Sequence, residues 1–165
     1  MDGVAIVPLA AARIDELREL WLALHHAHRA VARVPLQPDD GLSWSLRRGD
    51  YLAWLEAGTA FALGAERDGA LVGYAVTRIH EGCDNTFYLG PRHGELWSLS
   101  VTPAERGRGV GSLLLDAVDR ELEQRGIAHL AVAVMAGNDA ARRLYERRGL
   151  VAGEVLLLRG PPATS

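Results

Sequence analysis

The sequence predicts an α/β fold: a mixed sheet of about six strands flanked by four helices, in the order β-α-α-β-β-β-α-β-α-β, within one domain over residues 1–165. Three observations predict it. Residues 96–101 have the branched, aromatic and small side chains of a buried strand. After Thr102-Pro103 they pass through a glycine-rich turn into Val110, Leu114, Leu115, Val118 and Leu122, which recur at helical spacing. Two earlier apolar runs, 61–67 and 70–79, are joined by Asp68-Gly69, the dipeptide of a type I′ hairpin. Finally, 128–135 is apolar without regular polar alternation, as in a strand covered on both faces, and Asn138 follows as a helix N-cap.

Taken in order, residues 4–7 form a short strand stopped by Pro8. Over 11–32, Ile14, Leu17, Trp21, Leu24, His25, His28 and Val31 share one side of a helix, with Arg18, Glu19, His26 and Arg29 elsewhere. His25 and His28 therefore lie on the apolar side, where packed, hydrogen-bonded histidines are commoner than ligands; no third residue at metal-ligand spacing joins them. Pro35, Pro38 and Asp39-Asp40-Gly41 make a loop. A second helix over 42–55 carries Trp44, Tyr51 and Trp54, with an interruption expected at Gly49, and Gly58 closes it. Residues 80–94, with Gly82, Gly90, Pro91 and Gly94, connect the hairpin to the central strand. Gly126 caps the helix over 109–125. In the last helix Asp139 near the start and Arg147-Arg148 near the end agree with the helix dipole, and Gly149 terminates it. Residues 151–159 are a sixth strand and 160–165 a frayed tail.

The chemistry concentrates where the central strand turns into its helix. The first helical turn has unpaired N–H groups at a positive dipole end, which makes it an anion site. Gly107, Gly109 and Gly111 let backbone approach an anion closely, and Arg106 and Arg108 add charge suited to phosphate. A Walker-type loop is excluded, since the chain has no G-x-x-x-x-G-K-[ST] and no lysine at all. The dinucleotide fingerprint G-x-G-x-x-G also fails, because its third glycine would fall on Ser112 or Leu114.

The order R-x-x-G-x-G in Arg106-Gly107-Arg108-Gly109-Val110-Gly111, after a strand ending Leu99-Ser100-Val101, resembles the pyrophosphate loop of the GNAT superfamily of acetyl-CoA-dependent N-acyltransferases. Downstream, Asn138, Ala141, Tyr145 and Gly149 match that family's N-x-x-A-x-x-x-Y-x-x-x-G. The resemblance covers residues 60–159 and implies a mostly antiparallel sheet whose fourth and fifth strands splay apart. It also implies that acetyl-CoA is the acyl donor. The diphosphate would sit on the amides of Arg106, Gly107, Arg108, Gly109, Val110, Gly111 and Ser112, and the pantetheine arm would lie along Leu99, Ser100 and Val101, with Asn138 and Ala141 opposite. Glu95 matches the position of a carboxylate base, with His93 as the nearby alternative, and Tyr145 that of a proton donor to the departing thiolate. The expected reaction is direct attack of a primary amine of a small molecule or peptide in a ternary complex. Two other readings stay open: a catalytically silent acyl-CoA-binding or sensing domain, and a structural α/β domain with no ligand.

Composition bounds the rest. With 48% hydrophobic and 24% charged residues the chain reads as globular. A net charge of −3 argues against a nucleic-acid partner, and the uncharged runs are too short to span a bilayer. Asp2 stands where a secretion signal would be basic, and Cys83 is the single cysteine, so a cytoplasmic, reducing location is expected, without an internal disulfide or a metal. Only 16 residues follow Gly149, so the final hairpin common in the family is short or absent, and a homodimer partner is expected over the open sheet edge.

Overall fold

The computed structural model describes residues 3–32, 34, 38–82 and 90–158. Asp2, Pro35, Cys83, Arg159 and the tail beyond it lie outside them. A single sheet runs in the order β1-β2-β3-β4-β5, formed by Val4–Pro8, Ala60–Arg67, Ala70–Glu81, Arg92–Val101 and Leu130–Ala131. The first four strands are antiparallel neighbours, and β5 joins β4 in parallel. Four helices flank it: α1 (Arg18–Val31), α2 (Asp40–Glu56), α3 (Val110–Gln124) and α4 (Asp139–Glu146).

Local chemistry sets most of the element ends. At the β2–β3 hairpin Asp68 and Gly69 have φ of 51° and 78°, both positive as a type I′ turn requires. The Asp39 carboxylate accepts the Leu42 N–H at 3.0 Å and caps α2. The Asn138 side-chain oxygen accepts the Ala141 N–H at 3.1 Å and caps α4. Helix α2 runs unbroken through Gly49, because that position faces open space and a missing side chain there costs only propensity. Residues 11–32 divide into a 3₁₀ stretch, Ala11–Leu17, and then α1.

Two apolar cores sandwich the sheet. On one face Leu114, Leu115, Val118 and Leu122 of α3 pack on Phe61, Ala75, Ile79 and Leu96. On the other, Leu17, Trp21, Trp44 and Tyr51 pack on Ala62, Tyr74 and Val76. The central strand begins earlier than 96 because Gly94 lies under α3. A Cβ on Gly94 would come within 2.7 Å of Leu122, so only glycine lets the strand continue beneath the helix.

Two strand expectations are corrected. The predicted strand over 128–135 pairs only at Leu130 and Ala131, and 151–158 forms no strand, leaving five strands instead of about six among the described residues. Val151, Val155, Leu156 and Leu157 are more than 80% exposed. A strand exists only with a ladder partner, and none lies beside 151–158 among the described residues.

The shortness of β5 has a cause in β4. Val76 pairs with Ser98 but its neighbour Thr77 pairs with Leu96, so Trp97 is the extra residue of a bulge. Trp97 and Ser98 consequently both face α1 and α2, while Leu96 and Leu99 face α3. Parallel pairing with β5 ends at Glu95↔Ala131, immediately before the bulge. From there the two strands diverge, which is the splay the fold class anticipated.

Candidate active site

Two parts of the molecule meet at the C-terminal end of β4. The first is the turn into α3. Pro103–Glu105 makes a short 3₁₀ turn, after which Gly107 and Gly109 take φ of 74° and 85°. A Cβ at Gly107 would meet nothing within 4 Å, so the loop faces open space. The first intrahelical bond runs from the Leu113 N–H to the Gly109 carbonyl at 3.0 Å, so the amides of Val110, Gly111 and Ser112 precede it. No acidic side chain occupies that first turn. The dipole end is therefore open to an anion.

Glu105, only 8% exposed, holds the loop in shape. It accepts from Arg67 at 3.1 Å and lies 3.5 Å from Arg108. The Arg106 Nε–H donates to the Val101 carbonyl at 3.1 Å, folding that side chain back along the strand end. Arg108 is mostly exposed and keeps most of its guanidinium available.

The second part is the cleft opened by the splay. It is lined by residues 96–99 of β4, by 132–135, by Asn138 with Ala141 and Tyr145 of α4, and by Leu24 and His28 of α1. Tyr145 is 9% exposed, its hydroxyl has no hydrogen-bond partner among the described residues, and burial pushes its pKa up to about 12. His28 is held below the usual histidine range, first by burial and then by the nearby His25 and Arg47. The shift favours its neutral form.

The predicted site residues thus separate into groups. Leu99, Asn138, Ala141 and Tyr145 line the cleft together, and Arg106 to Ser112 form the adjoining turn. The Ser100 hydroxyl donates to the Leu20 carbonyl at 2.9 Å and ties β4 to α1, while Val101 packs in the α3-side core. Glu95 does not line the cleft. Its carboxylate lies 2.8 Å from His80 Nε2, and the His80 ring stacks on His93 at 4.9 Å. His25 is a packed residue, with ring nitrogens against the Pro38 carbonyl at 3.1 Å and the Ser43 hydroxyl at 3.2 Å.

Other contributors were not assigned to the site by the sequence. Ser98 reaches the site face only through the bulge, where its hydroxyl is hydrogen-bonded to Tyr51, itself 3.4 Å from the Tyr74 hydroxyl. His28 arrives from a helix distant in the chain. Glu105 had a faint signal, as a lone acid among the arginines of Glu105-Arg106-Gly107-Arg108.

A family model, "Acetyltransferase (GNAT) family", matches residues 15–150. Mycothiol acetyltransferase of Thermobispora bispora is 39% identical over 79% of this chain and 42% of its own length; that of Streptomyces coelicolor is 36% identical over 95% and 46%. The chain thus spans less than half the length of these relatives. Among solved structures, a GCN5-related N-acetyltransferase from Ralstonia eutropha superposes with a TM-score of 0.75 at 22% identity, covering 98% of this chain and 100% of that one. An aminoglycoside N-acetyltransferase in complex with CoA gives 0.70 at 20% identity, covering 97% and 95%. At those identities the likeness is one of fold. The glycine turn at the head of α3, the splay it adjoins and the matched family model agree, and the chain belongs to the GNAT acetyltransferase family.

Proposed function

We propose that the chain moves an acetyl group from acetyl-CoA to a primary amine by direct attack in a ternary complex. The observation that carries this reading is the junction of two features: a strand edge that has no partner beyond Glu95 among the described residues, and a helix N-terminus with open amides at the end of that same strand. A diphosphate linked to an extended, amide-bearing arm needs both. The first-turn amides of α3, with Gly107 and Gly109, would hold the diphosphate. The backbone of 99–101 would pair with the arm, and Asn138 and Ala141 would flank it.

The reaction forms a C–N bond and breaks a C–S bond. An alkylammonium with a pKa of ~10.4 must first lose a proton, which costs roughly 4 to 5 kcal/mol at neutral pH. In this reading Glu95 receives that proton through water, because its carboxylate stands outside the cleft wall and is already engaged by His80. A backbone N–H near Leu99 would polarise the thioester carbonyl. Tyr145 would donate a hydrogen bond to the sulfur as it becomes a thiolate.

The test is thiol release from acetyl-CoA across amines that include aminoglycosides, polyamines, amino acids and peptide N-termini. Release with at least one class supports the reading. Binding of acetyl-CoA with no release from any amine would leave a silent acyl-CoA-binding domain in its place. We also propose a homodimer in which a second subunit covers the open sheet edge; a monomer at micromolar concentration in light scattering would remove that idea.

A further inference from the structure

The face of the sheet toward α1 and α2 carries two arginines whose charge is poorly answered. Arg78 of β3 lies with its guanidinium carbon 4.9 Å from the Trp54 ring centre and 5.9 Å from that of Trp97. Arg47 of α2 lies 5.3 Å from the same Trp97 ring and 4.9 Å from Trp21. Trp97 is the bulge residue that lines the cleft, so both cations stand against a ring that forms part of the cleft.

Among the described residues Arg78 forms no ion pair, and Arg47 has a single contact with Asp50 at 3.5 Å. The Nε atoms of both are buried without a hydrogen-bond partner. Glu95, opposite Arg78 in the strand register, gives its carboxylate to His80 instead. The other titratable groups near Arg47 are His28, Tyr51 and Tyr74, none of them an anion that would answer its charge. This cationic excess sits in a chain of net charge −3, so it is local and not compositional. A guanidinium stacked on an aromatic ring keeps its planar donor fork at the edge, the geometry that recognises an oxyanion.

We propose that the acceptor is a primary amine that also carries an oxyanion, a carboxylate or a phosphate, held by Arg47 and Arg78 against Trp97. This rests on the acetyltransferase reading and narrows its substrate class. Polycationic amines such as aminoglycosides and polyamines are repelled by the same pair and are poor acceptors.

The test measures thiol release with paired acceptors: an amino acid against its carboxamide, and an aminoalkyl phosphate against the corresponding aminoalcohol. The two pairs tell carboxylate from phosphate. The wild-type chain is expected to favour one anionic member in kcat/KM by roughly 10- to 100-fold, the worth of a charge-assisted hydrogen bond. Arg78→Gln and Arg47→Gln should abolish that preference mainly through KM, with the uncharged member nearly unchanged. Arg78→Lys, which keeps charge without the fork, should retain only part of it. A wild-type preference for uncharged or polycationic acceptors would overturn the proposal even if every variant failed to fold. So would variants that lose both members of a pair equally, since the arginines would then serve packing alone. Absence of release with every amine would refute the acetyltransferase reading itself, and the narrower proposal with it.

Discussion

Tyr145→Phe separates chemistry from packing at the cleft. Its hydroxyl has no hydrogen-bond partner among the described residues, and burial alone pushes its pKa up to about 12. The departing coenzyme thiol resembles cysteine at ~8.5, so full transfer of the tyrosine proton is uphill by roughly 5 kcal/mol. What the hydroxyl can offer is a hydrogen bond to the developing thiolate, worth about 1.5 to 3 kcal/mol when the acceptor is charged. That energy is realised only as the C–S bond breaks, so it acts on kcat and not on donor binding. The expected result is a fall in kcat of roughly 10- to 100-fold, with the acetyl-CoA KM nearly constant. Stability should be nearly unchanged, because the hydroxyl makes no hydrogen bond among the described residues and is not sealed from solvent. Steady-state kinetics with a thiol-reactive dye and a thermal melt supply both numbers. A kcat within about twofold of wild type would refute the reasoning and leave Tyr145 as a packing residue.

Further outcomes follow from the same geometry. Gly109→Ala places a side chain at φ 85°, which costs about 1 to 2 kcal/mol; it should lower the melting temperature and weaken acetyl-CoA binding, whereas Gly58→Ala, at φ 69° but far from the turn, should lower stability only. Burial raises the pKa of Tyr51, Tyr74 and Tyr145 in the folded chain. The unfolded chain therefore loses protons first, stability is fully present below about pH 10 and is lost above it, and phenolate absorbance should lag until the protein unfolds. His28 has the opposite sign: its folded pKa is lowered, first by burial, so its contribution is present above pH ~6.5 and is lost as pH falls through the folded value. His28→Gln should flatten the acid limb of a melting-temperature profile between about pH 5 and 7.

Features decided within a few residues were legible in the sequence. The Asp68-Gly69 hairpin, the start of α3 behind its glycines and the Asn138 cap each depend on local dihedrals and one hydrogen bond. Features decided by a distant partner were not. Residues 128–135 and 151–158 have strand composition, but composition does not supply a ladder, and the bulge at Trp97 that ends the pairing shows only in the register against β3. The site divides in the same way. Arg106 to Ser112 and Asn138 to Tyr145 are contiguous motifs, whereas His28, Arg47, Arg78 and Ser98 converge from α1, α2, β3 and β4. Glu95 matches the family's carboxylate position by its place in β4, whereas its engagement by His80 comes from the neighbouring strand β3, which β4 alone does not reveal.

The most direct measurement is calorimetric titration with acetyl-CoA beside S-acetylpantetheine, which keeps the thioester and arm but lacks the diphosphate. Gripping of the diphosphate by the amides that open α3 predicts one-to-one binding of acetyl-CoA and much weaker binding of the truncated donor. Equal affinities, or no heat with acetyl-CoA, would contradict it.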